Sequence, residues 1–176
     1  MSILKVARMG HPVLRTRTRT LERADLRDAG VQKLIDDMID TMIEYHGVGL
    51  AAPQVHEDVR LFVAVLDGHQ DGEDEGDPLV IVNPEILPAA GAETVEGWEG
   101  CLSIPDIRGR VPRAREITLR GLDRLGERFE RQLQDFPARV AQHEADHLDG
   151  ILFFDRMRSF ESLTFLDEYS RYWAKD

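Results

Sequence analysis

The chain has little cysteine, a deficit of positive charge and no long apolar run. Its single cysteine, Cys101, excludes an intrachain disulfide, so that thiol acts alone or with a metal. Lysine and arginine number 22 against 33 aspartates and glutamates, a net charge of -11 that repels a phosphate backbone and argues against direct nucleic-acid binding. No stretch approaches the ~20 apolar residues that span a bilayer, and Met1-Ser2-Ile3-Leu4-Lys5-Val6 lacks the apolar centre of a secretory leader. A cytoplasmic protein with no membrane partner is expected. Internal repeats and linker-like segments are also missing. With 42% hydrophobic residues, the 176-residue chain is expected to build one domain, residues 1–176, around one core.

The clearest element is a helix over about Ala24 to His46, where Val31, Leu34, Ile35, Met38, Ile39 and Met42 fall on one face and Gly47 stops it. That stripe reads as core packing. Val59 to Leu66 and Leu79 to Val82 read as strands, and Ile117 to Leu133 reads as a hairpin turning at Asp123-Arg124-Leu125-Gly126. Between the first two strands, Asp67 to Asp77 carries six acids without the spacing of a calcium loop, and a solvated, mobile loop is expected. A second helix is predicted from Phe136-Pro137 to Asp149, with Asp135 as its N-cap and Gly150 as its stop. A last helix is predicted over Ser159 to Trp173. Strands in the middle and helices at both ends indicate an α+β fold: mixed or antiparallel strands around a central metal-binding helix.

That central helix carries His143-Glu144-Ala145-Asp146-His147. Residues four apart in a helix share a face, so the two imidazoles lie one turn apart, as one zinc-like ion requires. Glu144 lies beside that face, where a carboxylate can take a proton from water activated by the metal. A catalytic centre of this kind usually takes three protein ligands and keeps one position open. Cys101, within Glu99-Gly100-Cys101-Leu102-Ser103, is a candidate third ligand, and many carboxylates compete with it on spacing alone. Gly47-Val48-Gly49-Leu50-Ala51-Ala52-Pro53-Gln54 reads as a helix end followed by a loop open to close backbone approach.

Taken in order, Gly47 to Gln54, Glu99 to Ser103 and Gln142-His143-Glu144-Ala145-Asp146-His147-Leu148-Asp149-Gly150 resemble the three signatures of the peptide deformylases. The likeness runs from Gly10-His11-Pro12-Val13-Leu14-Arg15 nearly to Met157. It implies an α+β deformylase fold and removal of the formyl group from the N-terminal formylmethionine of nascent chains, with transient ribosome contact. It also implies one divalent ion held by Cys101, His143 and His147, natively ferrous iron, with zinc, nickel or cobalt acceptable in a purified sample. Glu144 would be the general base and acid, and Gln54 with the backbone N–H of Leu102 the oxyanion donors. Val48, Gly49 and Gly100 match positions along the bound peptide, Phe136, Val140 and His143 positions around the methionine pocket, and Arg108 a position near the peptide entrance.

The sequence departs from the family at Asp135, where glycine is expected, and at Ala141 and Ala145, where larger aliphatics are expected. These bear on pocket shape and leave the metal and base untouched. A zinc protease shares His-Glu-x-x-His, and a structural metal in a non-catalytic protein is a further alternative. A lone thiolate in Glu-Gly-Cys-Leu-Ser favours the deformylase reading over both, because proteases of this motif generally take a carboxylate or a third histidine and structural sites are closed and thiolate-rich.

Overall fold

The computed structural model describes residues 2–67 and 76–174. The acidic stretch from 68 to 75, expected to be a solvated loop, lies outside the described residues. Helix α1 (Ala29–Glu44) begins later than its apolar spacing predicts. The Asp28 carboxylate caps it by accepting from the N–H groups of Gly30 and Val31, while Asp25–Arg27 forms a separate 3-10 turn. At the far end Tyr45 caps the helix and His46, not Gly47, takes the left-handed conformation at φ 53. The chain then passes through β1 (Gly49–Ala51) and a 3-10 turn at Ala52–Val55, where a loop was expected.

Strands β2 (Leu61–Ala64), β3 (Leu79–Pro88), β6 (Glu116–Leu122) and β7 (Arg128–Gln134) join β1 in a five-stranded sheet of order β1-β2-β3-β6-β7. Every pairing is antiparallel. Strand β2 is an unbroken apolar run because both of its faces are covered. Leu61 and Val63 pack toward α1 with Ile35, Met38 and Met42, and Phe62 and Ala64 pack on the other face with Ile81, Ile117 and Leu119. A second antiparallel sheet, β4-β5-β8, comprises β4 (Thr94–Cys101), β5 (Ile104–Ala114) and β8 (Thr164–Phe165).

Helix α2 (Asp135–Leu148) lies between the sheets and touches strands of both. Ala138, Ala141 and Ala145 sit in the core under the larger sheet, so small side chains there allow close approach of helix and strands. Asp135 is not the N-cap. Gln134 holds that position without a side-chain bond, and Asp135 has φ 53 with its carboxylate drawn to the Arg115 guanidinium at 2.9 Å. A left-handed backbone accounts for the glycine expected at this position. Beyond α2 the predicted last helix is broken up. Within the predicted span, Ser159 to Trp173, the chain first pairs with β5 as β8 and turns helical only in α4 (Leu166–Tyr172), while a short α3 (Phe153–Arg156) lies before that span.

Gly150 does stop α2, at φ +71, and a Cβ there would lie 2.7 Å from the backbone carbon of Arg15. Gly150→Ala therefore combines left-handed strain with a backbone clash and should cost about 2–4 kcal/mol. A fall in the urea midpoint measures it, and an unchanged midpoint would show that the Arg15 segment yields freely.

Candidate active site

Cys101 ends β4, and a register shift against β5 between Glu99 and Cys101 turns the strand there. His143 and His147 come from one face of α2. The side chains of Cys101, His143 and His147 are buried, and one potential ligand atom from each lies within 4.8 Å of the others. Among the described residues this is the single such group of three. Cys101 Sγ approaches His147 Nε2 to 3.3 Å. Two carboxylates close in sequence to these residues, besides Glu144, are turned elsewhere: Glu99 toward His143 Nδ1 at 2.9 Å, and Asp146 toward arginines.

Because Glu99 occupies Nδ1 of His143, its Nε2 is left to face a metal, the carboxylate–histidine arrangement that fixes tautomer and ring direction. The donor set of one soft thiolate and two imidazoles fits a divalent transition ion. Burial opposes ionisation of Cys101, yet the neighbouring imidazoles of His147 and His143 outweigh it and hold the thiol well below its ordinary value. A thiolate is the form that ligates.

Glu99 is itself secured. Arg113 grips it in a two-pronged pair, Nε to Oε1 at 2.9 Å and Nη2 to Oε2 at 3.0 Å, and Arg139 Nη1 donates to Oε1 at 2.9 Å. Burial raises the cost of its charge, but His143 and Arg113 together keep its carboxyl well below the usual range. The third Arg113 nitrogen reaches Asp146, which also receives Arg156 at 2.7 and 3.1 Å. Glu99, Arg113, Arg139 and Asp146 had no role in the sequence reading. The signal for Glu99 was its place two residues before Cys101, in a segment not recognised as a strand.

Glu144 is the exception among the carboxylates of this helix. It is buried and its Oε2 has no hydrogen-bond partner; His147 Nδ1 also lacks one. Burial pushes its carboxyl up to about 7, against the pull of the two imidazoles. Its carboxylate rests on the backbone of Gly49, where a Cβ would fall 2.4 Å from Oε1, so only glycine leaves it room. Gln54 is also buried. Its Oε1 accepts from Ala51 N–H at 2.8 Å, which fixes the amide and points Nε2 at Cys101 Sγ, 3.5 Å away, and Ser103 Oγ, 3.3 Å away.

These groups open on a cleft of ≈ 920 Å³. Val48, Gly49, Gly100, Leu102, Arg108, Phe136 and Val140 all lie along its walls with Gln54, Cys101, His143 and Glu144. His147 stands behind, completing the ligand set. The Arg108 guanidinium packs flat on Gly100, occupying the space a Cβ would need.

Three candidate ligands beside an open cleft, with a carboxylate next to them, fit a catalytic metal centre better than a closed structural one. The model of the polypeptide deformylase family matches residues 3–162. The chain is 41% identical over 176 residues to peptide deformylase 2 of a Nostoc species, covering 99% of this chain and 97% of that protein. It is 46% identical over 154 residues to the peptide deformylase of Rhodopirellula baltica, covering 88% and 73% respectively. A Met-Ala-Ser-bound crystal structure of a class I type b peptide deformylase from Acinetobacter baumannii superposes with a TM-score of 0.82 at 40% identity, covering 89% of this chain and 99% of that one. The chain belongs to the polypeptide deformylase family, metal-dependent hydrolases that remove the formyl group from N-terminal formylmethionine.

Glu99→Gln tests the support beneath the ligands. It leaves two arginines short of a counter-charge and weakens the hold on His143. Metal affinity should fall about 10- to 100-fold, with about 3 kcal/mol or more of stability lost. Metal titration and denaturant unfolding measure the two losses separately, and wild-type affinity would detach Glu99 from the metal site.

Proposed function

We propose that residues 1–176 act as one catalytic unit in which Glu144 moves the proton, Gln54 Nε2 and the Leu102 N–H receive the oxyanion, and Cys101, His143 and His147 hold the ion. The observation that carries this reading is the unpartnered Glu144 carboxylate, buried beside the ligand group and facing the cleft. When bound, the divalent ion supplies Lewis acidity, which brings the pKa of water toward ~7 and polarises a carbonyl. Everything else is done by side chains and backbone.

Glu144 takes a proton from the attacking water as its oxygen bonds to the formyl carbon, and it later gives that proton to the departing amine nitrogen. The C–N bond breaks, and formate and a free N-terminus leave. A carboxyl poised at about 7 serves both transfers at neutral pH. As the carbon becomes tetrahedral its oxygen gains charge, and Gln54, already locked by Ala51, donates without having to reorganise. Phe136 and Val140 give the methionine side chain an apolar wall, while the backbone of Val48, Gly49 and Gly100 runs beside the peptide. Arg108 stands at the entrance.

The native ion in this reading is ferrous iron, on the strength of the family resemblance, although the same donors suit zinc, nickel or cobalt. The protein works in the cytoplasm, in transient contact with the ribosome from which its substrate emerges. Elemental analysis after anaerobic purification tests the ion, and co-sedimentation with translating ribosomes tests the contact.

Formate release from formyl-Met-Ala-Ser, with the N-acetylated peptide inert, is the direct assay. Glu144→Gln preserves size but cannot accept the proton, so turnover should fall at least ~100- to 10,000-fold with metal content intact. Turnover within a few-fold of wild type would remove Glu144 from the mechanism. Gln54→Leu should lower kcat roughly 100- to 1,000-fold with little change in KM. A raised KM alone would make Gln54 a positioning group. Cys101→Ser exchanges a soft anion for a weakly acidic hydroxyl and should lose metal or change its geometry, visible in the spectrum of the cobalt-substituted protein.

A further inference from the structure

Gln54 and Leu102, the two oxyanion donors of the reading above, come from segments far apart in the chain. Ser103 follows Leu102 in the turn between β4 and β5, where Cys101 pairs with Ile104. Its hydroxyl oxygen accepts from Gln54 Nε2 at 3.3 Å, and among the described residues this is the only side-chain hydrogen bond Ser103 makes. We propose that Ser103, on the deformylase reading given above, is a positioning residue for the Gln54 amide: by accepting one Nε2 proton it leaves the other directed at the ligand group.

A primary amide has one acceptor oxygen and two protons to place. Ala51 N–H takes the oxygen at 2.8 Å, which settles which end of the amide is which. That contact alone lets the amide plane swing about the oxygen. A second contact in the amide plane stops the swing, and Ser103 Oγ supplies it. The remaining proton then lies on the side of Cys101 Sγ, 3.5 Å from Nε2, where a donor to a developing oxyanion belongs.

Holding the two segments together is already the work of the main chain. Ala7 N–H donates to the Gln54 carbonyl at 2.7 Å and Met9 N–H to the Ser103 carbonyl at 2.8 Å, so one N-terminal segment pins both backbones. Neither residue needs the hydroxyl–amide contact to stay in place. Ser103 is completely buried, and alanine would sit there without bringing a hydroxyl that must be satisfied. What the hydroxyl adds is direction for the amide.

The test uses the zinc-loaded enzyme and C-terminally amidated formyl-Met-Ala-Ser. Formate release by the wild type reports the deformylase reading itself, before any Ser103 variant is measured. Ser103→Ala should keep its zinc and a near-wild-type urea midpoint while kcat falls about 5- to 50-fold and KM stays within about two-fold. In a Gln54→Leu background the same substitution should change kcat by less than about two-fold, because the hydroxyl acts through the amide. Side-chain amide NMR gives a readout apart from activity: the NH2 pair lost in Gln54→Leu belongs to Gln54, and Ser103→Ala should move one proton of that pair upfield more than its twin. An unchanged kcat, an equal fall in kcat in both backgrounds, an unshifted Gln54 pair, or loss of folding or zinc in Ser103→Ala overturns the proposal while leaving the deformylase reading standing.

Discussion

The two-pronged pair between Arg113 and Glu99 is the contact on which the site depends. Both side chains are buried, one on β5 and one on β4, and the third guanidinium nitrogen reaches Asp146 on α2. A single arginine thus joins the smaller sheet to the central helix and, through Glu99, sets the direction of His143. Desolvating these charges costs several kcal/mol per ion, and an apolar cluster of equal volume would stabilise the fold at least as well. Their presence is better explained by the ligand they hold. An imidazole on a helix can rotate about χ2, and the Glu99 carboxylate removes that freedom before any metal arrives.

This arrangement answers a problem posed by the position of α2. A helix lying between two sheets should be apolar all round, yet His143, Glu144, Asp146 and His147 are all buried. Each uncompensated polar group would cost about 1–3 kcal/mol. Arg113 and Arg156 compensate Asp146, Glu99 compensates His143, and the Cys101 thiol faces His147. The polar face of the helix is turned inward as a set, with partners supplied from β4, β5 and α3.

The parts of the molecule legible in the sequence are those governed by one periodicity. The apolar stripe of α1, the run in β2 and the four-residue spacing of His143 and His147 each signal one element with one environment. The β4–β5 hairpin escaped because its composition is set by tertiary contacts. Gly97 and Gly100 leave space for the guanidinium groups of Arg139 and Arg108, and Pro105 and Pro112 interrupt any strand-like pattern. Glu99 and Arg113 were hidden for the same reason, since nothing local distinguishes a buried ion pair from two solvated charges. Gln54 carries no signal of its own: its orientation comes from the N–H of Ala51 three residues earlier, within a turn that reads as ordinary loop. The family resemblance supplied an expectation where the residues alone left alternatives open, above all for Cys101 as third ligand.

Against this background of satisfied groups, Glu144 stands apart. Its Oε2 is buried without a hydrogen-bond partner, as is Nδ1 of His147, whereas His143 and Asp146 are engaged by Glu99 and by arginines. A fold that brings arginines from β5, α2 and α3 to Glu99 and Asp146 places Gly49 against Glu144, a residue with no side chain to offer and just enough room for the carboxylate. A hydrogen bond from the protein would stabilise the charged carboxylate and weaken it as a base. Without such a donor, burial raises its proton affinity. The same burial that elsewhere demands an ion pair acts here on the acidity of a single carboxyl.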